Sequence, residues 1–393
     1  MAGSYTTDPI RIVDSDSHLT EPPGLWVDRA PAALRERVPR VVEGRWGHPR
    51  WIVDDGIDLG PISYSPVAPD GSRVAGNVGA AEFRFEDVHK GAYDLTARLG
   101  WLDDRGIHQQ VLFPNTLAGF GAVRFYEMIA DKDLCSVCVS IYNDAAAEIQ
   151  EESGGRLLPL AMIPWWDIEQ AEKEIHRART DLGLVGISMP DNPHEHGLPA
   201  LHRPEWKRFW SACEDSEVAV AFHIGGGKFI PNVWADPALG EYQATATSNS
   251  FLTNSWVVAN LIFSGVLLRH PRLKVFSAET GIGWVPFLLE AMDYQWHENL
   301  TSESKRDVWK GVLPSELFRR NVYVSFWFEQ QGVAHAIELL GEDNVMFETD
   351  FPHGTSLTDR MTEQVSNTLA ALRPGVRRRV LRDNAARLFG LST

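Results

Sequence analysis

The densest run of chemically capable residues is "VDSDSHLTEP", residues 13–22. Here Asp14, Asp16, His18 and Glu21 follow an apolar lead-in. Side chains on a strand alternate between faces, so positions 14, 16 and 18 are expected to share one side. Two carboxylates and an imidazole on one side suit a metal; the plainer alternative is a turn with a capping Asp. Similar groups recur after other apolar runs: His223 in "FHIGGG", Glu279 in "SAETG", and Asp350 followed by His353 in "ETDFPHG". A lone histidine after a strand is more often a hydrogen-bonded loop residue. Several such groups at the ends of four strands are harder to explain by solubility, because a buried carboxylate must be paired or metal-bound.

The elements that must carry them form a repeating series. Short apolar runs appear as "RIVDSD", "HQQVLFPN", "LLPLAMIP", "LVGISMP", "VAVAFHIGGG", "LKVFSAETG", "NVYVSFWFE" and "NVMFETDFPHG". Helical patterns such as "EQAEKEIHRARTD" and "WVPFLLEAMDYQW" lie between them. Near-continuous apolar strands alternating with helices imply a parallel sheet, and eight units imply a (β/α)8 TIM barrel. Residues 1–393 are then one domain with the chemistry at the carboxyl ends of the strands. Two stretches break the pattern. Residues from about 24 to 90, rich in Pro, Gly and Trp, read as an irregular insertion after strand one, on the active-site side. A second insertion spans about 228–255. The tail "PGVRRRVLRDNAARLFGL" reads as a C-terminal amphipathic helix on the outside of the barrel.

A net charge of -16 over 393 residues argues against nucleic acid and anionic membranes as main partners. The N-terminal residues show no signal-peptide pattern, and no apolar run approaches a membrane span. Three cysteines fit a reducing, cytoplasmic setting. Cys135 and Cys138 form a C-x-x-C, but within a helical pattern, so they read as core residues. Fourteen tryptophans suggest large aromatic surfaces in the core or around an apolar ligand. Trp165, Trp166 and Trp327 flank strand ends and are candidate substrate contacts, as is Lys228 after the glycine run. "HEHG", with His194 and His196, reads as a polar loop.

The stretches "DSDSHLTEP", "GIHQQVLFPN", "FHIGGG", "HPRLKVFSAETGIGWVPFLLEAMD" and "MFETDFPHG" resemble the amidohydrolase superfamily, in the branch of aminocarboxymuconate-semialdehyde and resorcylate decarboxylases. The resemblance covers most of the chain and implies a metal-dependent TIM barrel. Three departures stand out. Asp16-x-His18 replaces the common His-x-His, strand six offers Glu279 and no histidine, and strand four has no lysine to carry a bridging carbamate. Imidazole-rich sites suit zinc; carboxylate-rich ones suit iron or manganese.

This pattern also resembles a smaller branch, the TIM-barrel non-heme diiron monooxygenases, which includes diterpenoid hydroxylation and coenzyme A-linked substrates. That likeness implies two irons held by Asp16, His18, His223, Glu279 and Asp350, with Glu21, His297 and His353 as further candidate ligands. Asp350, His353 and Glu279 are the candidate catalytic groups. The leading expectation is therefore a monooxygenase hydroxylating a bulky apolar, terpenoid-like or coenzyme A-linked small molecule. It would draw electrons from an external reductase, since no flavin or nicotinamide fingerprint is present, and a homo-oligomer is compatible with it. The alternative is a hydrolase or non-oxidative decarboxylase using zinc or manganese. A barrel that only binds a ligand is a third reading.

Overall fold

The computed structural model describes residues 10–44, 48–63, 65–74, 83–115, 117, 119–227, 240–358 and 361–392. Its strands are β1 (Ile12–Asp14), β2 (Arg40–Glu43), β3 (Pro49–Val53), β4 (Ile57–Pro61), β5 (Ile107–Leu112), β6 (Leu157–Pro159), β7 (Ala161–Met162), β8 (Gly186–Ser188), β9 (Ala219–His223), β10 (Lys274–Ala278), β11 (Val322–Phe326) and β12 (Val345–Phe347). β6 and β7 are two parts of one run, broken at Leu160, whose N–H donates to Leu112 O. Parallel pairing runs β1-β5-β6, and again β7-β8-β9-β10-β11-β12.

The first and last barrel strands close the ring. Ser15 donates to Phe347 O from both its N–H and its hydroxyl, Asp350 N–H donates to Asp16 O, and His18 N–H donates to Phe351 O. The result is a barrel of eight parallel strands, each falling on one of the apolar runs read from the sequence. Helices Ile168–Thr180, Lys207–Asp215, Val285–Asn299 and Val333–Leu340 lie between strands. They bury one stripe each, as their spacing of apolar residues requires.

Between β1 and β5 the chain builds a separate antiparallel sheet, β2-β3-β4. Ser65 Oγ donates to Pro352 O and Arg73 donates to Ser356 O, so this excursion touches the loop after β12. Of the second insertion, residues 228–239 lie outside the described residues. Beyond them come helices Gly240–Ser250 and Thr253–Phe263.

The C-terminal segment departs from its expected place. Pro374–Arg378, a turn of π-helix at Arg379–Asp383, and Asn384–Phe389 follow in succession. Ala385, Leu388 and Phe389 pack with Val13, Leu160, Ala219 and Phe276, the inward-facing residues of the strands. The segment therefore stoppers the barrel interior rather than lying on its outer wall. An inward apolar layer at the strand starts would otherwise face water, and this face of the helix covers it. Cys135, Cys138 and Cys213 are free and buried. Burial raises the Cys135 thiol to about 11, which suits packing and not reactivity.

Phe389→Ala should destabilise the protein by about 3–5 kcal/mol, the usual cost of emptying a buried phenylalanine site. Urea unfolding followed by far-UV circular dichroism measures this. An unchanged midpoint would place the helix elsewhere.

Candidate metal centre

Six side chains converge at the carboxyl end of the barrel. Asp16 and His18 follow β1, His223 ends β9, Glu279 follows β10, and Asp350 and His353 follow β12. Asp16, His18, His223 and Glu279 can bring their ligand atoms within 4.8 Å of one another, and so can His18, Glu279, Asp350 and His353. His223 Nε2 lies 3.3 Å from Asp16 Oδ2 and 3.4 Å from Glu279 Oε2. His18 Nε2 lies 3.7 Å from Asp16 Oδ1 and 3.5 Å from Asp350 Oδ1. His353 Nδ1 is 3.0 Å from Asp350 Oδ1.

Two local features aim these groups. Glu279 and Asp350 have φ of 52° and 56°, a left-handed conformation unusual for non-glycine residues. Thr355 Oγ1 donates to both carboxylates, 3.2 Å from Glu279 Oε1 and 2.6 Å from Asp350 Oδ2. His223 Nδ1 meets Ile224 O at 2.7 Å, which places the proton on Nδ1 and leaves Nε2 as a lone-pair donor.

Electrostatics decide what the cluster needs. Both oxygens of Asp16, both ring nitrogens of His18, and His223 Nε2 are buried without a hydrogen-bond partner. Burial raises Asp16 well above the ordinary carboxylate range, helped by the charges of Asp350 and Asp14. Burial likewise raises Glu279, beside Asp350 and Asp16. Burial lowers His18, and it lowers His223 to about 4. Burial would also raise Asp350, but the His353 and His18 imidazoles against it hold it well below the usual range. Neutral imidazoles and crowded carboxylates with unshared lone pairs are what a divalent cation satisfies, so the donor set fits a metal.

Other expected site residues stand apart. Glu21 is buried, but its Oε1 accepts from the Asn115 N–H at 3.0 Å, while Asn115 Oδ1 meets His353 Nε2 at 3.0 Å. Glu21 thus braces His353 through Asn115 and lies outside both ligand groups. His297 is exposed on helix Val285–Asn299, beside Trp296, away from the cluster. Trp165 is fully buried and donates to Gly121 O; Trp166 donates to Ser136 Oγ; Trp327 is fully buried and donates to Thr355 O. These indoles hold loops in place, and none is among the residues lining the cleft at the cluster. Lys228 lies outside the described residues.

Sequence reasoning also missed partners. Asp14, expected beside Asp16 and His18, instead accepts from Asp16 N–H, Gln110 Nε2, and the N–H and hydroxyl of Thr349. Buried Arg98 donates to Gln110 Oε1 at 2.8 Å and to His18 O. Glu348, buried, accepts from Ser325 Oγ and from Glu279 N–H. Its position two residues before Asp350 in "ETD" was the available signal. Phe120 packs its ring 4.0 Å from His223 and 5.1 Å from His18, and no pattern in its loop marked it.

Residues 109–391 match the Amidohydrolase family. The chain belongs to that family. It is 26% identical over 310 residues to a gamma-resorcylate decarboxylase from Rhizobium radiobacter, across 75% of this chain and 86% of the relative. Among solved structures, an amidohydrolase from Mycobacterium avium subsp. paratuberculosis superposes with a TM-score of 0.70 at 18% identity, over 98% of each chain. A 5-carboxyvanillate decarboxylase from Novosphingobium aromaticivorans, solved with manganese and 4-hydroxy-3-methoxy-5-nitrobenzoic acid, gives a TM-score of 0.61 at 19% identity, over 77% of this chain and 82% of that one.

These relatives correct the leading expectation. The gamma-resorcylate and 5-carboxyvanillate relatives are decarboxylases, so the diiron monooxygenase reading is overturned, and the reductase that oxygen activation requires goes with it. The likeness to the diiron branch had implied iron, but the carboxylate-rich donor set suits manganese equally. The groups meant to complete a second iron site, Glu21 and His297, stand outside the cluster.

His223→Ala should abolish tight binding of a divalent ion at this cluster, read as metal per chain after dialysis. Full retention would remove His223 from the ligand set. A second expectation concerns Glu21, whose carboxyl burial pushes from 4.5 up to about 7. The folded state then holds the proton longer than the unfolded state, so stability falls as pH rises from about 4.5 to about 7. Glu21→Gln should remove that decline, on the order of 3 kcal/mol at ~1.4 kcal/mol per pH unit, in urea titrations across the range.

Proposed function

We propose that the protein is a metal-dependent, non-oxidative decarboxylase of a hydroxylated aromatic carboxylic acid. The carrying observation is the buried set of unpartnered donors on Asp16, His18 and His223, with Asp350 and His353 paired beside it. The decarboxylase relatives supply the reaction class. Asp16, His18, His223 and Glu279 would hold one divalent cation, with Asp350 at its edge. Manganese is favoured by the oxygen-rich set and was present in the related 5-carboxyvanillate decarboxylase. When bound, it would act as a Lewis acid that orients the substrate and draws charge from its oxygens.

The chain's own residues handle the proton. Asp350 sits between Thr355 Oγ1 and His353 Nδ1, and His353 Nε2 is tied to Asn115. With Nε2–H donated to Asn115, the imidazolium form of His353 holds its other proton on Nδ1 against Asp350 and hands it across in the reaction, so that Asp350, ionised at rest, carries the proton only in transit. Asp350 delivers that proton to the ring carbon bearing the carboxylate. The bond to the carboxylate then breaks, its electron pair restores the ring, and carbon dioxide leaves. Phe120 covers the imidazoles from above and limits water at the reacting atoms.

Manganese-loaded protein should release carbon dioxide from members of a hydroxybenzoate panel. In deuterated water one deuteron should appear at the vacated carbon. Asp350→Asn should lower kcat by about 10²–10⁴, the range for losing a general acid, with metal content checked in parallel. Turnover of esters or amides with ¹⁸O from water entering the product, and no carbon dioxide from any acid, would make the protein a hydrolase.

A further inference from the structure

This inference rests on the decarboxylase reading and concerns which acids the site admits. A cleft of about 850 Å³ opens on the His223 side of the cluster. That is toward the upper end of the roughly 300–1,000 Å³ that houses drug-sized ligands. A single-ring acid would leave most of it filled with water.

One wall is a single helix face. Trp256 and Asn260, and Val257 and Leu261, are each one turn apart on Thr253–Phe263, and all four line the cleft. Trp256 is 74% exposed, so a large, mostly uncovered indole borders the cleft. Aromatic surface of this size left open at a cleft marks a place where an apolar ligand is buried.

Polar residues line the cleft as well, among them Asp191 and Asn192. Asn192 donates from Nδ2 to Glu195, while its buried Oδ1 has no partner. Asp191 Oδ1 is likewise buried and unpartnered. A Cβ on Gly227 would lie only 1.5 Å from that oxygen, so the glycine is what lets the carboxylate occupy this position. Two buried acceptors with no donor among the described residues are open to a donor from a ligand.

We infer that the cleft seats an aromatic acid of two or more fused rings, with a hydroxyl or amine that donates to Asn192 and Asp191. The ring body lies on Trp256 and Leu261, and the carboxylated carbon lies at the metal centre beside His223 and Asp350.

The test is calorimetric binding to the full-length, manganese-loaded protein, comparing hydroxynaphthoates with hydroxybenzoates, alongside carbon dioxide release. Hydroxynaphthoates should bind about tenfold tighter or better. Trp256→Ala should erase most of that preference, and because Trp256 is exposed, this variant keeps the fold. Phe287→Ala, equally exposed on another helix and outside the cleft, should leave the preference intact. Equal binding of both classes, or a preference unmoved by Trp256→Ala, overturns the inference. Carbon dioxide from hydroxybenzoates without any two-ring preference overturns it while the decarboxylase reading stands. The two-ring preference with no carbon dioxide from any acid supports the cleft assignment and overturns the decarboxylase reading.

Discussion

The seam between the first and last barrel strands is the constraint on which the site depends. A barrel of eight parallel strands has no free edge only if β1 meets β12. Here that pairing also supplies four of the six converging side chains, Asp16 and His18 from one side, Asp350 and His353 from the other. Ser15, Asp350 and His18 make the backbone contacts, and Asp14 accepts from Thr349 directly beneath. Arg98 and Gln110 then tie Asp14 to the carbonyl of His18. A shift of one residue at this seam would turn each donor to the opposite face.

Above the seam, the site is built from groups that are unfavourable on their own. Buried carboxylates at Asp16, Glu279 and Glu348 crowd together, and burial pushes all three up. Two residues sit in left-handed backbone conformations. Such costs persist where the surrounding structure over-determines them, and here Thr355 fixes Glu279 and Asp350, Ile224 fixes His223 and Asn115 fixes His353. Fixed donors whose lone pairs have no hydrogen-bond partner then suit a cation.

Much of this was legible in the chain. Eight apolar runs marked the barrel strands because parallel strands are buried on both faces, and their ends named Asp16, His18, His223, Glu279, Asp350 and His353. What was not legible depends on contacts distant in sequence. Whether Trp165 or Trp327 faces a ligand is set by where its indole N–H finds a carbonyl, which no local pattern encodes. The amphipathic face of the last helix fitted an outer wall as well as the barrel's inner layer, and only the inner layer's need for cover distinguishes them. His297 shares a helix with buried residues but lies on its outer face. Iron came from the likeness to the diiron branch, because ligand type does not separate iron from manganese.

The stopper formed by Ala385, Leu388 and Phe389 has a consequence for synthesis. The hydroxyl of Ser15 finds its carbonyl 332 residues downstream, and the barrel's floor is laid by residues later still. During translation the first strand, with Asp16 and His18, emerges long before its neighbour exists. Asp16 and His18 therefore wait to be fixed in place until the strand 332 residues beyond Ser15 has been made.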